Sequence, residues 1–115
     1  MGAEKTALLE NLSDVVTSFG GDVSTHGHYP AWEYRRDSRL RDTMVAVYTD
    51  LYGKPPVVEA IHAGLECGLL CEKLPGLDAV SFGPDMRDIH TSRERLSIPS
   101  VERTYRYLLS VLAAL

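Results

Sequence analysis

The chain has 115 residues, 44% of them hydrophobic, and its 16 acidic against 12 basic side chains give a formal net charge of -4. That length allows one modest core and not two full ones, and the charge balance leaves no basic face for nucleic acid beyond the short cluster Arg35, Arg36, Arg39 and Arg41. No apolar run approaches the ~20 residues of a transmembrane helix and the opening MGAEKTALLENL lacks the build of a secretory signal, so no membrane partner is expected and the expected location is cytoplasmic.

Taken in order, Leu8, Leu12, Val15, Val16 and Phe19 form one apolar stripe at helical spacing, and Gly20-Gly21 ends the helix they predict. Residues 22–28 (DVSTHGH) alternate weakly, as a short half-exposed strand would. His26 and His28 fall on one polar face there and read more readily as solvated than as a metal pair. The stretch YPAWEYRRD then changes character, with a proline, aromatics and charges, and predicts a boundary or hinge packed by Tyr29, Trp32 and Tyr34. Ser38 is placed to cap a second helix carrying Leu40, Met44, Val47, Tyr48 and Leu51, which Gly53, Pro55 and Pro56 close.

Residues 57–63 (VVEAIHA) and 78–83 (DAVSFG) read as strands flanking a leucine-rich helix, LECGLLCEKL, so the middle of the chain predicts a β-α-β crossover with parallel strands. The fold class expected is α/β. Ligand-type side chains sit at the ends of this unit: His62 and Glu66 after the first strand, Asp85, Asp88 and His90 after the second, where open parallel sheets bind their ligands. Cys67 and Cys71, one helical turn apart, predict small buried apolar residues. A zinc site made of that pair with His62 or His90 lacks the usual structural spacing. Arg87, Arg93, Glu94 and Arg95 read as a solvated loop. Finally Ser97 and Pro99 start a third amphipathic helix, with Val101, Tyr105, Leu108, Leu109 and Leu112 facing the sheet.

The run IHAGLECGLLCEKLPGLDAVSFGPDMRDIHTSRERLSIPSVERTYRYL resembles the C-terminal end of the aminoacyl-histidine dipeptidases, also called Xaa-His or cytosolic non-specific dipeptidases, within the two-zinc metallopeptidases. HAGLECG followed by GP…D-x-H-T-x-x-E carries the likeness. YPAWEYRRDSRL resembles the point where those enzymes leave an inserted lid and re-enter the catalytic domain. The resemblance implies a partial α/β sandwich preceded by a helix-strand remnant of the lid, with residues 1–30 ending the lid, which often forms the dimer contact, and 31–115 closing the catalytic domain.

It also implies a metal-dependent dipeptidase that hydrolyses Xaa-His and related dipeptides through two divalent metals, zinc being the expected pair. The family's H-x-D segment, bridging aspartate and paired glutamates, one of them the general base, do not occur in these 115 residues. The chain alone is therefore expected to be inactive and to hold no complete metal centre. His90 matches the family's C-terminal zinc-ligand histidine. His62 and Glu66 fall where those enzymes line the substrate cleft, with capping and structural hydrogen bonding as the plainer role, and Asp88 is a candidate outer partner for His90. The alternative is a non-enzymatic α/β module that binds or dimerises. Apolar stripes and strand edges without partners predict a homo-oligomer.

Overall fold

The computed structural model describes residues 2–61 and 66–115 and divides them into two compact units, one of residues 1–35 with 61–77 and the other of residues 36–60 with 78–115. Four helices and one small sheet are described, and no described helix is long and apolar enough to cross a membrane.

In the first unit, helix α1 (Gly2–Ser18) forms where the apolar stripe predicts it. Gly20 and Gly21 stop it by donating their N–H groups to the carbonyls of Thr17 and Val16, and Gly20 takes the left-handed φ of 80° that a side chain would resist. The backbone N–H of Gly2 at the start of α1 donates to Glu33 Oε1 at 3.0 Å, and this bond is the first cause holding the Glu33 carboxyl below its ordinary range. Lys5 Nζ donates to the Tyr29 carbonyl, a second tie between α1 and the segment that follows. Helix α2 belongs to the second unit, and the next helix of the first unit is α3 (Glu66–Lys73). It approaches the 30–32 segment through Gly68, where an added Cβ would lie 3.0 Å from the Pro30 carbonyl oxygen. Cys67 and Cys71 are half-buried and free. They do not become the core residues that their spacing predicts.

The second unit holds the buried core. Helix α2 (Arg39–Tyr52) is capped as expected by Ser38, whose Oγ accepts the Arg41 N–H at 3.0 Å, and closed by Gly53 at a φ of 70°. The sequence does not announce the role of Asp78. Its carboxylate accepts the Ser38 hydroxyl at 2.7 Å and the Leu40 N–H at 3.1 Å, so an acid from 38 residues away completes the cap. Helix α4 (Ile98–Ala114) packs on α2 through Tyr107 and Val111 against Met44, with Leu40, Val47, Tyr48 and Val80 around them. Tyr107 donates its hydroxyl to the Met44 carbonyl at 2.8 Å and meets the rings of Tyr48 and Phe82 edge-on at 5.5 and 5.4 Å. Burial, followed by the neighbouring Tyr48 and Tyr52, pushes the Tyr107 phenol pKa up.

The strands differ from expectation. Residues 22–28, 57–61 and 78–83 form no strand among the described residues, and residues 62 and 63 of the expected first strand lie outside them. A strand exists through its ladder of hydrogen bonds, and these apolar runs meet no ladder partner among the described residues: Val57 is 82% exposed. The described sheet is instead the antiparallel pair β1 (Met86–Arg87) and β2 (Arg95–Leu96), in register Met86 with Leu96 and Arg87 with Arg95. The α4 helix accordingly finds its partner in α2 and the 80–82 segment and not in a parallel sheet.

Candidate functional site: the His90 loop

The β1–β2 pair closes a loop that carries His90, and Ser100 secures its base. The Ser100 hydroxyl, buried to 3% exposure, donates to the Ser97 carbonyl at 2.6 Å and accepts the Asp85 N–H at 2.9 Å, while the Ser97 N–H donates to the Asp85 carbonyl at 3.0 Å. Asp85 Oδ2 also pairs with Arg103 of α4 at 3.1 Å, an exposed contact that adds little by itself.

Within the loop, Asp88 and His90 both take left-handed backbone conformations, with φ of 54° and 63°. Such conformations are uncommon for non-glycine residues, and Asp and His are among those enriched there. The Thr91 N–H and hydroxyl both donate to the Asp88 carbonyl, at 3.2 and 2.7 Å, and the Arg93 N–H donates to Thr91 Oγ1 at 3.1 Å. The Glu94 N–H donates to the Thr91 carbonyl at 3.2 Å. The Arg95 guanidinium donates to Asp88 Oδ2 at 2.8 Å, and Glu94 Oε2 accepts the His90 backbone N–H at 2.9 Å. The loop is therefore a set of interlocked turns with an exposed imidazole. Asp88, Arg93, Glu94 and Arg95 also line a shallow open depression of ≈ 610 Å³.

The sequence reads Arg87, Arg93, Glu94 and Arg95 as a solvated loop, and all four are exposed, but Glu94 and Arg95 also bond within the loop, and the Asp88 carboxylate meets Arg95. The tie from Glu94 depends on the left-handed turn at His90, which residue types do not announce. Glu66 lies in the first unit at the start of α3, exposed, where its carboxylate adds to burial in raising the pKa of Tyr29. His62 lies outside the described residues. Among the described residues no three His, Cys, Asp or Glu side chains converge to hold an ion. His90 supplies one imidazole, while the Asp88 and Glu94 carboxylates beside it are engaged by Arg95 and by the His90 backbone. A two-metal centre needs bridging and terminal ligands together, so these residues alone do not fit one.

The helices and the two-stranded sheet match part of a dipeptidase fold, and the chain is homologous to dipeptidases. It is 34% identical over 106 residues to the cytosol non-specific dipeptidase of Escherichia coli (strain K12), a match covering 92% of this chain and 21% of that protein. The crystal structure of aminoacylhistidine dipeptidase from Vibrio alginolyticus superposes with a TM-score of 0.86 at 31% identity, over 100% of this chain and 24% of that one. The chain thus spans about a fifth to a quarter of the length of these relatives. No protein-family model matches it.

Proposed function

We propose that this chain is the closing portion of a metal-dependent dipeptidase, hydrolysing Xaa-His and related dipeptides in the cytoplasm, and that it supplies one metal ligand, His90. The observation that carries this reading is the coincidence of the dipeptidase homology with a loop built to present that one histidine. In the complete protein a pair of divalent metals, zinc by resemblance, would activate water and polarise the peptide carbonyl. Asp88 would act from behind His90, and His62 and Glu66 would face the dipeptide, Glu66 offering a carboxylate to its ammonium. Residues 1–30 would end the lid and 31–115 close the catalytic domain. There the runs at 57–63 and 78–83 would gain strand partners and form the parallel β-α-β unit of the sandwich.

The same reading makes the 115 residues alone inactive, since one imidazole cannot hold two metals. The purified chain with added zinc should show no hydrolysis of an Xaa-His dipeptide. Metal-dependent turnover that disappears in His90→Ala would refute this division of labour. The exposed stripe of α1 further supports self-association, most simply as a two-fold dimer. Light scattering at low micromolar concentration should report more than one chain per particle, and a clean monomer would remove that part of the proposal.

A further inference from the structure

The loop between β1 and β2 holds His90 in a left-handed backbone conformation, uncommon for any residue but glycine. The Thr91 N–H and hydroxyl, bonded to the Asp88 carbonyl, close a turn with Ile89 and His90 at its centre, and Arg95 holds the Asp88 carboxylate. Among the described residues, the bond made by the His90 N–H itself goes to Glu94, whose Oε2 accepts it at 2.9 Å. A carboxylate accepting an N–H forms a charge-assisted bond, stronger than one to a neutral acceptor. It engages the main chain and takes neither ring nitrogen, so it orients the residue without consuming the imidazole. Glu94 is in turn fixed by its own N–H, which donates to the Thr91 carbonyl at 3.2 Å.

We propose that Glu94 is a positioning residue for His90: its carboxylate, accepting the His90 backbone N–H, holds the left-handed turn from which the imidazole is presented. The functional meaning of this rests on His90 serving as a metal ligand, but the positioning itself operates in the metal-free chain. It also gives the D-x-H-T-x-x-E run a division of roles, with Asp88 and Thr91 closing the turn that contains the histidine and Glu94 tying it from the far side.

Amide hydrogen exchange of the 115-residue chain, resolved by residue with NMR and without metal, tests the assignment. Glu94→Ala should speed exchange of the His90 amide by about tenfold. It should leave unchanged both the melting temperature and the Ser97 amide, which is bonded at the base of the same loop. Glu94→Gln keeps an acceptor oxygen at the same reach and should restore most of the protection. Unchanged exchange at His90 in Glu94→Ala, no rescue by Gln, or an equal loss at Ser97 would each overturn the proposal. Because no metal enters the measurement, these outcomes leave the ligand role of His90 to be judged separately by metal content.

Discussion

Helices α1 and α4 have the same length, 17 residues each, and both carry apolar stripes at helical spacing, yet α1 buries no residue while α4 buries Ser100, Tyr107 and Val111. The stripe is enough to specify a helix in both cases. What separates them is a complementary surface, and α4 meets it on a face other than the expected one: Tyr107 and Val111 pack on Met44, with Tyr48, Val80 and Phe82 around them, while the expected stripe Val101, Tyr105, Leu108, Leu109 and Leu112 stays exposed, as does Phe19 just past the end of α1. An apolar stripe therefore specifies a helix, but does not say which face is covered or by what.

Substitutions should separate the two helices sharply. Tyr107→Ala removes a ring that is 7% exposed together with its hydrogen bond, and should destabilise the second unit by about 3 kcal/mol or more in urea unfolding. Asp78→Ala takes two capping contacts from α2, exposing an N-terminal donor and leaving the buried Ser38 without its acceptor, at a cost of about 2 kcal/mol in the same assay.

Tyr107→Phe keeps the ring packing and removes the hydroxyl's bond to the Met44 carbonyl, so about 1 kcal/mol should be lost near neutral pH. Its pH dependence follows from the raised phenol pKa. The folded state favours the protonated phenol, so the contribution of Tyr107 is complete below the unfolded value of 10.0 and is lost as pH rises through the higher folded value. The stability gap between wild type and Tyr107→Phe should accordingly narrow above pH 10.0, and a constant gap would show that the phenol is not shifted. At the small end, Leu12→Ala in α1 should change unfolding stability by less than about 0.5 kcal/mol in dilute chain. It should also weaken any self-association seen by light scattering.

Helices were legible in the sequence because their signals are local: the stripes, the Ser38 cap, Gly53, and Pro99 in the first turn of α4 fall within a few residues of what they control. Strands were not, because Val57, Val58 and Ile61 state an appetite for burial without stating a neighbour, and all three stay exposed among the described residues. The long-range cap from Asp78 to Ser38 was hidden for the same reason, its partners being 40 residues apart. At the candidate site, the pattern around residues 83–94 drew attention to His90 and Asp88. The tie from Glu94 to the His90 main chain could not be read from residue types, since it depends on the left-handed turn at His90.

The central claim is that His90 completes a metal site whose other ligands lie outside these residues. Its most direct test is a chimera in which this chain replaces the matched segment of the Escherichia coli cytosol non-specific dipeptidase, with bound metal counted by atomic spectrometry after dialysis. The chimera should hydrolyse an Xaa-His dipeptide, and His90→Ala, with the circular dichroism unchanged, should abolish turnover and lower bound metal by about one equivalent per chain. Full metal content and full activity in the His90→Ala chimera would contradict the account.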